Sequence, residues 1–246
     1  MNVEGPPVRA ITFDFWNTLI RLTGDQRDRR REILAEVFWA HEREVSIDAV
    51  EGALGFTRDR FDSCWRANEQ YVLADAADDV LTVVGVSASP ELRADLVAAW
   101  LDSGRTTPVA CTEPSVAALL DELRSAGIRI GIVCDSGLMP GSVLRGHLVG
   151  LGLADRFDHM AFSDEVGVYK PDPAIFAAAH AGLGVSADET AHVGDLHRTD
   201  VLGAVAAGAT AIRYRGVVDD PEADTTDTTP VIDHLADLFD VLADRV

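Results

Sequence analysis

The sequence predicts an α/β protein: a three-layer core with a parallel sheet between helices, and a block of helices inserted after the first strand. Three observations predict it. Short apolar runs rich in β-branched residues alternate with amphipathic segments over residues 8–20 and 108–215. Three of those runs stop at a carboxylate, at Asp14, at Cys134-Asp135 and at Gly194-Asp195. Residues 21–107 have helical periodicity and no convincing strand.

Val8-Arg9-Ala10-Ile11-Thr12-Phe13 reads as the first buried strand. The inserted stretch reads as helices over Arg29 to Trp39, Ile47 to Ala67, Tyr71 to Val84 and Pro90 to Trp100. Ser89-Pro90 is an N-cap followed by Pro at the first helical position. Glu113-Pro114-Ser115 opens a helix over Val116 to Ser125, which Gly127 ends. Ile128 to Val133 is the second strand, and His159 to Phe162 a weaker one. A helix from Pro173 to Ala181 stops at Gly182 and Gly184. Thr190 to Val193 is a strand, Asp200 to Ala207 a helix, and Ala209 to Ile212 a strand. Asp219 to Pro230 reads as an acidic surface loop, and Val231 to Leu242 as a closing amphipathic helix. The expected organisation is a discontinuous core, 1–20 with 108–246, and a helical cap, 21–107.

Composition narrows the partners. The 246 residues carry 21 Lys+Arg against 41 Asp+Glu, a net charge of −20 that repels nucleic acid and anionic membranes. There is no apolar run long enough to span a membrane, and Met1 to Pro7 lacks the basic and apolar regions of a secretory leader. Cys64, Cys111 and Cys134 are odd in number and form no C-x-x-C pair, which fits a reducing, cytoplasmic setting. No dinucleotide fingerprint and no P-loop occurs.

Alternating strands and helices bring the carboxyl ends of the strands to one rim, where ligands bind in such sheets. Asp14 leads Asp14-Phe15-Trp16-Asn17-Thr18 at that rim, as a nucleophile, a metal ligand or a helix cap. Asp195 and Asp200 lie five residues apart beyond another strand, and hard cations such as Mg²⁺ bind one or two carboxylates with water and phosphate. Lys170 is the only lysine in the chain and sits in Tyr169-Lys170-Pro171-Asp172 before a helix. Arg fills every other cationic position, so a compact ammonium at this one place points to function.

These runs together resemble the haloacid dehalogenase superfamily of hydrolases, whose commonest members are phosphatases. Asp14-Phe15-Trp16-Asn17-Thr18 stands for its first motif, Asp-x-Asp-x-Thr; Cys134, Asp135 and Ser136 stand at the second; Lys170-Pro171 matches the third; Gly194, Asp195 and Asp200 match Gly-Asp-x-x-x-x-Asp. The resemblance implies a Rossmann-like core with a small helical cap. It implies that Asp14 attacks phosphorus and forms an aspartyl-phosphate that water hydrolyses. Mg²⁺ is expected to be held by Asp14, the backbone carbonyl of Trp16 and Asp195. Lys170 would hold Asp14 and the phosphoryl oxygens, Asp200 would orient Lys170 or a metal-bound water, and Trp16, Asn17, Thr18 and the second-motif residues would line the phosphate site.

Two positions depart from the phosphatase pattern. Trp16 stands where the phosphatases carry an acid/base Asp, and indole cannot transfer that proton. The superfamily's dehalogenases carry Tyr there, but they need no Mg²⁺ and lack the fourth motif kept here. Cys134 is a weaker hydrogen-bond donor than Ser, and Ser136 is the alternative. The expected function is therefore a Mg²⁺-dependent phosphatase of a small, anionic phosphorylated metabolite, acting as monomer or homodimer. The alternatives are a metal-free 2-haloacid dehalogenase and a non-catalytic binding module of this fold. Asp135 reads as a turn residue or a substitute acid/base, and His197 as a proton donor or a solvated loop residue. Arg27, Arg29, Arg30 and Arg31 read as a solvated helix face, or as a contact for an anionic substrate. Trp39, Trp65 and Trp100 read as cap core, and Thr18 is also compatible with helix capping.

Overall fold

The structure is a computed structural model and describes residues 6–24, 27–224, 226–243 and 245; the first five residues read above for a leader lie outside it. Among the described residues, eight strands, β1 (Ala10–Phe13), β2 (Ile20–Leu22), β3 (Val109–Cys111), β4 (Arg129–Cys134), β5 (His159–Phe162), β6 (Thr190–Gly194), β7 (Thr210–Tyr214) and β8 (Val231–Ile232), make two sheets. Six of them form one parallel sheet in the order β5-β4-β1-β6-β7-β8, and β2 pairs with β3. Mostly apolar residues fill its central strands, as burial on both faces demands, with His192 of β6 the buried polar exception beside Thr12 and Thr190.

Cα clustering divides the chain into two units. The first, 1–21 with 110–135 and 148–246, contains the six-stranded sheet. Its helices include α5 (Val116–Ser125), α7 (Ser163–Val166), α8 (Pro173–Leu183), α9 (Leu202–Ala206) and α10 (Leu238–Val241). The second unit comprises 22–109 and 136–147. It holds α1 (Arg27–Ala40), α2 (Ile47–Ala67), α3 (Leu73–Val83) and α4 (Pro90–Arg105), and most of α6 (Gly141–Gly150). Its core packs Leu34, Phe38, Val50, Leu54, Val80 and Trp100. Ser46 and Ser89 cap α2 and α4 by accepting from Ala49 N–H and Leu92 N–H.

Several local expectations are corrected. Val231 to Leu242 is not one helix. Val231 and Ile232 pair with β7 as the edge strand β8, a 3₁₀ turn covers Leu235–Asp237, and only Leu238–Val241 is α-helical. The turn forms because Glu113 accepts from both Leu235 N–H and Tyr214 Oη, at 3.0 and 2.9 Å. The helix expected from Asp200 begins instead as a π turn, His197–Val201. Trp39 is 52% exposed, and its indole N–H reaches the Val45 carbonyl; of the three tryptophans read as cap core, Trp100 is fully buried. No helix starts at Thr18, so that residue is no cap; the chain turns through Asn17 in the left-handed region, φ 57°, which Asn tolerates. Of the described residues, no helix is long and apolar enough to cross a membrane.

Candidate active site

The register of the parallel sheet assembles the site. Phe13 lies opposite Ile132 of β4 and Val193 of β6, so the residues that follow these strands emerge side by side. Asp14, Cys134-Asp135 and Asp195 are thereby brought to one rim. The Asp14 N–H donates to the Val193 carbonyl at 2.8 Å, which extends the ladder to the carboxylate itself.

Lys170 joins the carboxylates. It follows β5 and α7 and precedes a cis peptide to Pro171. Its Nζ donates to Asp14 Oδ1 and to Asp200 Oδ1, each at 2.6 Å. The ammonium is 2% exposed, against 6% for Asp14, 4% for Asp195 and 1% for Asp200. Asp135 Oδ1 accepts from the Lys170 backbone N–H at 2.8 Å. Asp135 therefore clamps the loop that carries the lysine. Asp200 is itself held by Leu196 N–H on Oδ2 and by His192 Nε2 on Oδ1, at 3.0 and 3.1 Å.

Three carboxylates here face one ammonium, and their ionisation divides accordingly. Burial raises Asp14 to about 7, with Lys170 pulling down and Asp200 pushing up. Burial and the charges of Asp14 and Asp200 raise Asp195 to about 8. Burial also opposes ionisation of Asp200, but Lys170 and His192 hold it well below the usual carboxylate range. Burial disfavours the Lys170 ammonium too, and Asp14 and Asp200 overcome it and raise its pKa. The site has a shortage of positive charge at Asp14 and Asp195.

That shortage fits a divalent cation. Asp14, Asp195 and the Trp16 backbone carbonyl are the donors on offer, and two carboxylates suit Mg²⁺, which keeps water and phosphate oxygens as its other ligands. Among the described residues no group of three His, Cys, Asp or Glu side chains is arranged for a metal, so the third acid, Asp200, serves Lys170 instead. Thr18 is fully buried and its Oγ1 has no hydrogen-bond partner among the described residues, a donor suited to a phosphoryl oxygen.

The remaining sequence candidates divide. Cys134 ends β4 fully buried, and burial beside Asp14 raises its thiol pKa well above the ordinary value, which keeps it protonated and inert. Ser136 is buried, at 3% exposure. His197 is neither a free donor nor solvated: its N–H donates to Asp220, and its Nε2 lies 2.9 Å from Asp227. Arg29 and Arg31 pair with Glu32, Asp28 and Glu51, as a solvated face would. Arg30 instead lies over the Trp100 ring at 5.5 Å and donates to Ser103 Oγ. His192 was missed by the sequence reading because it sits inside an apolar strand; its only signal was a polar residue two places before Gly194.

A buried aspartate at the end of a central parallel strand, bridged by lysine to a second aspartate, places the chain among α/β proteins with a charged cluster at the carboxyl ends of the strands. The chain belongs to the haloacid dehalogenase-like hydrolases, whose family description matches residues 8–208. It is 32% identical over 190 residues to the phosphoserine phosphatase of Thermus thermophilus, covering 76% of this chain and 67% of that one. It is 31% identical over 207 residues to the phosphoglycolate phosphatase of Rhodospirillum rubrum, covering 83% and 78%. The glyceraldehyde 3-phosphate phosphatase of Methanopyrus kandleri is 35% identical over 170 residues, covering 67% and 70%. Among solved structures, the 2-haloacid dehalogenase of Pseudomonas syringae pv. Tomato superposes with a TM-score of 0.69 at 24% identity, covering 97% of this chain and all, 100%, of that one. A phosphatase of the same family from Thermococcus onnurineus gives 0.64 at 23% identity, with the same coverage. At these identities the two structures establish the shared fold.

Proposed function

We infer that the chain is a Mg²⁺-dependent phosphatase of a small phosphorylated metabolite, with Asp14 as nucleophile. The observation that carries this is the Lys170 ammonium held 2.6 Å from both Asp14 and Asp200. The curated phosphatase relatives support the reaction class, and three free cysteines fit a reducing cytoplasm. Residues 21–107 are assigned as a cap domain that selects the substrate.

The chemistry begins with the Asp14 carboxylate attacking phosphorus while the bond to the leaving oxygen breaks. The leaving group departs with the electron pair as its alkoxide or carboxylate anion, and the phosphoryl group is carried as a mixed anhydride on Asp14. Water then attacks phosphorus, the Asp14 oxygen leaves, and inorganic phosphate is released. An anionic nucleophile must approach an anionic substrate, so charge neutralisation is the largest need. Bound between Asp14, Asp195 and the Trp16 carbonyl, Mg²⁺ would supply Lewis-acid stabilisation of the phosphoryl oxygens. Lys170 favours the ionised form of Asp14 against burial and aims it, Asp200 keeps Lys170 in place, and Thr18 Oγ1 donates to a phosphoryl oxygen. Nothing in this set replaces the proton donor that Trp16 lacks. The site is thus suited to leaving groups that depart as stable anions, such as carboxylates.

The test is phosphate release from a panel of phosphomonoesters and acyl phosphates, with Mg²⁺ and with EDTA, for wild type and Asp14→Asn. Mg²⁺-dependent release that the variant loses is expected. Unchanged release by Asp14→Asn refutes the mechanism. Halide release from 2-haloacids in EDTA would favour the dehalogenase reading, and no turnover of any panel member would favour a binding module.

A further inference from the structure

We propose that His192 and Thr12 form a positioning pair that fixes Asp200, and through it the Lys170–Asp14 contact. The two residues are register partners on adjacent parallel strands: Thr12 of β1 lies opposite His192 of β6. Partners in a parallel ladder project to the same face. Here Thr12 Oγ1 lies 2.9 Å from His192 Nδ1, and the other ring nitrogen, Nε2, lies 3.1 Å from Asp200 Oδ1. That same oxygen accepts from Lys170 Nζ, which also donates to Asp14. A continuous polar path therefore runs from Thr12 to Asp14 through residues that are at most 6% exposed.

Geometry and charge fix the direction of each bond. Asp200 is ionised and can only accept, so the proton lies on His192 Nε2. Nδ1 is then bare in a neutral ring, and Thr12 Oγ1 must donate to it. The alternative acceptor for that hydroxyl is the Ala191 carbonyl, at 3.4 Å the poorer bond. Phe176 of α8 packs edge-on against the ring at a centroid distance of 5.1 Å. The charged and titratable neighbours that act on His192 are Asp200, Lys170 and, from α8, His180. A neutral donor suits this place. An imidazolium would compete with Lys170 for Asp200, whereas a neutral N–H shares Oδ1 without removing the ammonium.

The role is positioning, because His192 touches neither Asp14 nor any reacting atom. It rests on the phosphatase reading for its kinetic consequence only, and the tautomer can be read without turnover. In the wild-type chain labelled with ¹⁵N-histidine, and with the resonance assigned by its loss in His192→Gln, NMR should show a protonated Nε2 and a bare Nδ1. A protonated Nδ1 would overturn the pair even if the enzyme is active. For kinetics, His192→Met removes the donor at similar volume and should lower kcat about 10- to 100-fold, as loss of an outer-shell partner does, with KM nearly unchanged. His192→Gln restores an N–H toward Asp200 and should recover most of that loss. Thr12→Ser should behave as wild type, and Thr12→Val as a weaker His192→Met. Equal rates for the Met and Gln variants would overturn the proposal. A chain with the expected tautomer and no phosphatase turnover would instead leave the pair standing and refute the proposed function.

Discussion

Gly194 and Asp200 compete for one volume: a side-chain carbon built on Gly194 would overlap the Asp200 carboxyl carbon. The strand must end in glycine because the carboxylate of the following π turn folds back onto it. Leu196 N–H, donating to Asp200 Oδ2 at 3.0 Å, closes that return. Conformational freedom is not the reason, since it is the missing Cβ that admits Asp200.

Gly194→Ala is therefore expected to push Asp200 off Lys170 and leave Asp14 without its aligned partner. Misplacement of a catalytic group by about 1 Å costs on the order of 10²-fold in rate. Overpacking at so tight a site costs about 1–3 kcal/mol. Phosphate release and a denaturant melt on the purified variant check both, and a variant with wild-type kcat would show that Asp200 has somewhere else to go.

The lysine invites a second substitution. Lys170 serves two carboxylates with one compact ammonium at 2% exposure, and a guanidinium is planar and larger. Lys170→Arg keeps the charge and loses the geometry. A loss in kcat of about 10²–10³-fold is expected, close to that of Lys170→Met, because removing one positioned donor costs that much. Were Lys170→Arg to keep near-wild-type activity, charge alone would suffice and the two 2.6 Å contacts would not matter.

How much of this was legible beforehand depended on how local each signal was. The α5 helix, Val116–Ser125, and the β5 strand, His159–Phe162, appear at their expected bounds, since periodicity and the glycine that follows α5 mark them locally. Asp14, Lys170, Asp195 and Asp200 were legible because spacing and composition single them out. The α6 helix escaped notice because Gly141, Gly146 and Gly150 dilute its pattern. Val231 and Ile232 were read as helix because nothing local distinguishes two apolar residues that pair with β7 from one face of a helix. His192 was invisible for the same reason: its value lies in Thr12, 180 residues away in sequence, and in the turn that returns Asp200.

The two raised carboxyls make stability depend on pH in a definite direction. An unfolded Asp titrates near 3.8, but Asp14 and Asp195 hold their protons up to about 7 and about 8. Across that interval the folded chain binds more protons than the unfolded one, so stability falls as pH rises. Buried histidines with lowered values, His147, His180 and His192, act oppositely but only below the ordinary 6.5. The clean window is thus from about pH 7 to about pH 8, where those histidines are largely neutral in both states and the folded chain still gives up the Asp195 proton and the last of the Asp14 proton. In EDTA the melting temperature should fall across it. Mg²⁺ supplies the missing positive charge and should flatten the fall, as Asp195→Asn should without metal. A profile in EDTA that rises or stays level over this window would contradict the reading of Asp14 and Asp195 as an uncompensated pair.

On the proposed phosphatase reading, Trp16 sets which substrates the site can turn over. The indole offers no proton to a departing alkoxide, while a departing carboxylate needs none. Wild type should therefore hydrolyse acyl phosphates far better than alkyl phosphates, with rates that depend steeply on leaving-group pKa. Trp16→Asp places a carboxyl at that position and keeps the backbone carbonyl. It should raise the rate on alkyl phosphates by about 10²–10⁴-fold, the usual worth of a general acid, and change acyl phosphates little. Kinetics on a series of phosphate esters graded by leaving-group pKa would measure the slope directly. Equal slopes for wild type and variant would mean that another group already donates the proton, and that the indole at residue 16 is not what limits the reaction.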